Sequence, residues 1–223
     1  MTRPHPLRRH ATLATVAIAL VSALALSAAP PTQAAGPATY ETAFAQFQLV
    51  LHGQADAADE AAARWREVSA ASPTDPVPRA YAGASTAMMA RSTVLPWRKM
   101  TYAEDGLALI DKALAMLTPA HDAPAHRQIP TSLETRFVAA TTFHGLPDMF
   151  NRHERGAALM NEVANSPLLA TAPAEFRAAV WLAAGDAAAK DKRADEARQW
   201  FQKAAASGTS QAAAAQARLG AAK

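Results

Sequence analysis

The side chains that could do chemistry in this sequence are few. Five histidines lie beyond residue 35: His52, His121, His126, His144 and His153. A zinc centre needs three or four convergent nitrogen or oxygen ligands, usually with two histidines at short spacing on one helix face. No such pair occurs, since His121 and His126 are five residues apart with Pro124 between them. His144, Asp148 and His153 surround one connection and could converge, but without a short-spaced pair no metal centre is expected. Cysteine is absent, which excludes disulfides, thiolate zinc sites, iron–sulfur ligation and cysteine nucleophiles. The nine glycines are scattered singly, so no phosphate-cradling loop is formed, and no G-x-S-x-G elbow occurs. Serines such as Ser72 and Ser166 fall where helices are capped or turned. The paired acids Glu104-Asp105 and Asp195-Glu196 occupy first turns of helices, where they favour the helix dipole by roughly 0.3–1 kcal/mol. These patterns predict a protein with no cofactor and no catalytic residues.

Recognition chemistry has better candidates. The run Thr93-Val94-Leu95-Pro96-Trp97-Arg98-Lys99-Met100 and the run Gly145-Leu146-Pro147-Asp148-Met149-Phe150-Asn151-Arg152-His153 both read as connections between helices. Each carries Leu-Pro, then large apolar residues, then arginine. Trp and Arg are favoured binding anchors, and functional residues concentrate on loops held by a rigid scaffold. Trp97, Arg98, Lys99, Asp148, Phe150, Asn151 and Arg152 are therefore the expected binding residues, on one loop edge. Leu95, Trp97, Leu146, Met149 and Phe150 also have a purely structural fate open to them, folding inward to cover the ends of the helix pairs.

The overall charge adds an address rather than a ligand. The chain carries 22 Lys+Arg against 19 Asp+Glu, a formal +3 that invites a nucleic-acid reading. Arg3, Arg8 and Arg9 lie in the first 35 residues, which hold no acid, so 19 of each sign remain beyond them. Residues 1–35 have the three parts of a secretory signal: a positive start, an apolar stretch from Ala11 to Ala29, and a small-residue exit at Thr32-Gln33-Ala34-Ala35. Cleavage is expected after Ala34 or Ala35, and Pro30-Pro31 with the alanine-rich core favour it over an uncleaved anchor. The expected mature chain, 36–223, is neutral, exported to the periplasm, without a stable membrane span, and not a nucleic-acid binder.

The elements that must position these residues are helices. Alanine makes up about a quarter of the chain, and beyond Ala35 there are only two isoleucines and seven valines. Alanine favours helices and β-branched residues favour strands, so an all-α fold is predicted. Prolines cluster at 73–78, 119–130 and 167–173, between apolar-periodic segments, as helix punctuation. The segments pair off: 38–53 with 57–72, 77–92 with 101–117, 131–145 with 153–165, and 174–189 with 193–207, followed by a last alanine-rich helix near 210–222.

A small residue, then a large one four positions later, recurs in the second helix of each pair, with a further small residue three after that in the last copy. Ala61 with Trp65, Gly106 with Ile110, Gly156 with Met160, and Ala197 with Phe201 and Ala204 carry it. The small residue lets two helices approach, and the large one plugs the gap beside it. With Trp181 and Gly185 in the preceding helix, the last copy resembles the tetratricopeptide repeat (TPR) family. Tyr81 and Gly83 look like a displaced version of the same first-helix signature. The anchors lie 45, 50 and 41 residues apart, longer than the 34 of that family. The two Leu-Pro runs are also similar to a bacterial family of exported repeat proteins with no assigned activity. These resemblances imply a right-handed superhelical solenoid of about four hairpins with a C-terminal capping helix.

Together these readings predict a non-catalytic adaptor or scaffold of the bacterial cell envelope that binds a protein or peptide partner, accessory to a transport or assembly complex. The alternative is a periplasmic small-molecule binder with a pocket near Met88, Met89, Phe137 and Phe143. A metal-dependent enzyme using His144, Asp148 and His153 comes last.

Overall fold

Prolines, short polar caps and small residues decide where the helices of this chain start and how closely they pack. A computed structural model describes residues 38–221, so the leader read over residues 1–35 lies outside the described part. The described residues hold nine α-helices: α1 Tyr40–Leu51, α2 Ala58–Ala71, α3 Pro76–Ser92, α4 Pro96–Ala115, α5 Thr131–Gly145, α6 His153–Ala164, α7 Ala174–Lys190, α8 Ala194–Ala205 and α9 Ala212–Ala221. The fold is all-α, and the only β pairing among the described residues is one antiparallel bridge between Pro124 and Pro130. None of these helices is long and apolar enough to cross a membrane.

Local chemistry accounts for the starts of α1 and α3. Thr39 caps α1 in a reciprocal box: Thr42 N–H donates to its hydroxyl, and the Thr39 N–H donates to Thr42 Oγ1 at 2.9 Å. Asp75 caps α3 by accepting from Val77 N–H at 3.0 Å, with Pro76 in the first turn where its missing N–H leaves nothing unpaired.

The expected helix pairs all pack as neighbours, and α3 is the central element, lying against α2, α4 and α5. The small-residue spacing explains the closest approaches. A Cβ added at Gly83 would stand 2.6 Å from the Gly106 carbonyl oxygen, and one added at Gly106 would stand 2.6 Å from the Gly83 oxygen. Helices α3 and α4 therefore meet backbone to backbone, and no side chain fits between them. At Gly185 a Cβ would meet the Phe201 ring at 2.5 Å, so that aromatic does plug the space left by the glycine. Trp65 and Phe201 are buried as core residues; Trp181 and Trp200 are half-buried against the core.

One expectation about the chain's connections is corrected. The run 93–100 is not a loop: α4 begins at Pro96, so Trp97, Arg98 and Lys99 lie on its first turn. Leu95, the residue before a proline, adopts the extended backbone that position favours (φ −82°, ψ 115°), and Pro96 has the fixed φ that suits a first helical position. The extra length of this pair is thus helix, and Glu104-Asp105 lie in the middle of α4, not in the first turn expected for them. The long connection lies further on, at 116–130, where one 3-10 turn (Pro119–Asp122) precedes the Pro124–Pro130 bridge and a second (His126–Gln128) lies within the loop that the bridge closes. Arg127 and Gln128 both have positive φ there, 51° and 60°, an uncommon conformation for residues with a Cβ. That turn drives Arg127 back towards α1, α3 and α5.

Candidate functional site

Helices α1, α3, α4, α5 and α7 enclose an open groove of about 1140 Å³. Its walls are apolar: Phe44 from α1, Met88 from α3, Met100 from α4, Phe137 from α5 and Phe176 from α7. Each faces the groove because the helix stripe that carries it continues beyond the buried core. Phe137 and Phe176 meet edge to face at 5.3 Å between ring centres. Arg91 and Lys99 stand exposed at one edge and give it positive charge.

Beneath the aromatic wall lies a polar cluster centred on Glu134, which is fully buried on α5. Its Oε1 accepts from the Tyr40 hydroxyl at 2.6 Å and the Tyr81 hydroxyl at 2.9 Å, and from the Arg127 guanidinium. Arg127 also donates to the Tyr40 oxygen at 3.0 Å and to the Tyr81 oxygen at 3.2 Å, and its guanidinium stacks 3.8 Å from the centre of the Phe44 ring. Next to it, His126 stacks on Tyr40 at 4.1 Å and pairs with Asp75 at 2.6 Å. Asp75 thus caps α3 with one oxygen and holds the 126–128 turn with the other.

This environment fixes the protonation states. Burial, reinforced by the Glu134 charge, pushes the Tyr40 and Tyr81 hydroxyls well above the ordinary phenol range, so they remain donors. Burial works to lower Arg127, but its Tyr81, Glu134 and Tyr40 partners outweigh that and hold it charged. The hydrogen bond to Asp75 outweighs burial at His126 and raises its pKa. A buried acid with three donors ties α1, α3, α5 and the 116–130 connection together. Tyr81 and Arg127 are the members that reach the floor of the groove.

Sequence reasoning missed Glu134 and Arg127. The signal for Glu134 is an acid four residues before Val138, on the buried stripe of α5. The signal for Arg127 is an arginine isolated within a proline-bounded turn, and neither position reveals its partner.

The seven expected binding residues divide. Lys99 and Phe150 line the groove; Phe150 sits in the 3-10 turn Asp148–Phe150, with Leu146 packed beside it against the core. Trp97 is 65% exposed, and Arg98 is exposed on the same first turn, where neither lines the groove. Asp148 and Asn151 are exposed, with Asn151 in the left-handed conformation that ends the turn. Arg152 is committed elsewhere: it pairs with Asp111 of α4 at 2.8 Å, alongside Arg155 at 2.5 Å. Of the residues expected around a small-molecule pocket, Met88 and Phe137 line the groove, whereas Met89 and Phe143 are buried in the core.

A second cluster lies where α5 ends, α6 begins and α7 ends. His144, His153 and Asp191 each offer a ligand atom, all within 4.8 Å of one another. Asp191, not the expected Asp148, completes the group, because the turn after α7 returns to the α5–α6 connection. His153 Nε2 is 2.7 Å from one Asp191 oxygen, and Arg193 holds the other at 3.0 Å. Lys190 donates to the His144 carbonyl oxygen at 2.7 Å. Both ring nitrogens of His144 and Nδ1 of His153 are shielded from solvent and have no protein partner. Burial, with Lys190 beside it, lowers the His144 pKa; burial tends to raise Asp191, but Arg193 and His153 outweigh it and hold the carboxyl low.

Compared with family models, with curated proteins and with solved structures, the chain matches none.

Proposed function

We propose that this chain is a TPR-like helical repeat protein, a right-handed solenoid of four hairpins and a cap, working as a non-catalytic binding module exported to the periplasm. Its groove receives an apolar peptide segment of an envelope protein, and Arg91 and Lys99 meet acidic residues flanking that segment. The observation that carries this reading is the groove itself: about 1140 Å³ of largely apolar concavity, walled by side chains from five helices. Grooves of this kind bind through apolar anchors from one face of a peptide. Two methionines in the walls, Met88 and Met100, adapt to different side chains because the thioether is flexible and polarizable. The polar groups at the floor support binding over catalysis, since Tyr81 and Arg127 are already engaged with Glu134.

A photo-crosslinking residue at Met100 tests this in intact cells, with the same residue at Arg198 on α8 as reference. A discrete protein adduct from Met100, lost when Met88→Arg is added, is the expected outcome. Equal labelling at both positions, or an adduct indifferent to Met88→Arg, would refute the groove as the binding surface.

A small-molecule ligand is the second reading. The volume is just above the 300–1,000 Å³ typical of small-molecule sites, and Phe137 with Phe176 forms an aromatic corner suited to an apolar body. Native mass spectrometry of the purified protein separates the two, because a bound metabolite adds a discrete small mass that unfolding removes.

A further inference from the structure

We propose that His144, His153 and Asp191 form a binding site for one divalent transition-metal ion of the imidazole-preferring kind: zinc, nickel or copper. The three ligand atoms come from separate elements, and the fold brings them within 4.8 Å of one another. Zinc–nitrogen and zinc–oxygen bonds of 2.0–2.2 Å place tetrahedral ligands about 3.4 Å apart, so a side-chain swing of one imidazole closes the site without backbone movement. Two imidazoles with one carboxylate suit these metals and disfavour calcium and magnesium, which take oxygen ligands. Three protein ligands leave a fourth position for water or for a group from a partner.

The independent observation is the state of the histidine rings. Buried polar atoms are normally hydrogen-bonded, yet three of the four ring nitrogens here are shielded and have no protein partner. Metal ligation would satisfy a nitrogen on His144 directly. The surroundings already orient the ligands, because Arg193 grips the Asp191 oxygen that His153 does not use. Of the two nearby cations, Arg193 is paired with both Asp191 and Glu196, and Lys190 donates to the His144 carbonyl oxygen. Binding would fasten the α5–α6 connection, which carries Leu146 and Phe150 of the groove wall, to the turn after α7. The metal site stands independently of the proposed groove function.

The test uses the purified chain without a histidine tag, stripped with chelator and titrated with zinc, nickel or magnesium chloride. Calorimetry is expected to give one equivalent of zinc or nickel, accompanied by a rise in melting temperature, with magnesium giving neither. His144→Ala and His153→Ala each weaken zinc binding by about tenfold or more, while His52→Ala and His121→Ala bind as wild type. His153→Ala also loses its bond to Asp191, so His144→Leu, whose ring nitrogens have no partner to lose, serves as the variant that keeps the fold, checked by its helical signal. No zinc binding at millimolar metal, an equal response to magnesium, or unchanged binding in the His144 variants would overturn the proposal.

Discussion

Removing Arg127 tests whether Glu134 organises this protein. Arg127→Met keeps an unbranched aliphatic side chain but removes the donations to Glu134, Tyr40 and Tyr81 and the guanidinium stack on Phe44. Stripping one partner from a buried ion pair costs about 3–5 kcal/mol. The low end applies here, because the Arg127 side chain is 35% exposed and two tyrosine hydroxyls still donate to the acid. We therefore expect a loss of about 3 kcal/mol, which for a domain of this size lowers the melting temperature by roughly 6–12 °C. Glu134→Gln keeps the shape and an oxygen for the tyrosines, and its stranded arginine can turn to water, so about 1.5 kcal/mol is expected. The double variant buries no charge and should lose about 2 kcal/mol, well short of additivity. Urea unfolding followed by the helical signal gives all three values. Additivity within about 0.5 kcal/mol, or a loss below about 1 kcal/mol for Arg127→Met, would show that the cluster does not couple its members.

Other perturbations have definite signs. Gly106→Ala forces a Cβ against the Gly83 oxygen and should destabilise by about 2–3 kcal/mol in denaturant unfolding, whereas Gly220→Ala, with open space around it, should be neutral or mildly stabilising. The raised His126 pKa means that its pairing with Asp75 stabilises the fold fully below the ordinary histidine value and is lost as pH climbs through the raised one. The melting-temperature gap between wild type and His126→Phe, which keeps the stack on Tyr40, should therefore be widest near pH 5–6 and narrow towards pH 8; a gap independent of pH contradicts the linkage. Trp97→Ala should leave stability within about 0.5 kcal/mol, because that side chain is mostly in solvent.

Much of the fold was legible because helix chemistry is local. Alanine content and the proline clusters act within a few residues of where they stand, so most element boundaries could be read within a turn. The start of α4 was misplaced because Leu-Pro reads equally as a loop or as a helix start, and neighbouring packing decides between them. The small-residue anchors were legible for the same local reason; Gly106 and Gly185 had to face something close. The candidate site was not legible in this way. Glu134 meets Tyr40, 94 residues before it, and Tyr81, 53 before it, and no local pattern encodes such pairings.

What the sequence determined by itself is therefore the all-helical class, the pairing of successive helices and the apolar stripes, all set by interactions between near neighbours. What only the tertiary structure decided is which stripes stop at the core and which continue into the groove, and which charges meet. Arg127 reaches Glu134 because an irregular turn folds back over α5, and Asp191 displaces Asp148 beside His153 because the turn after α7 returns there. These meetings depend on where whole helices lie after packing, and a side chain's type does not carry that information.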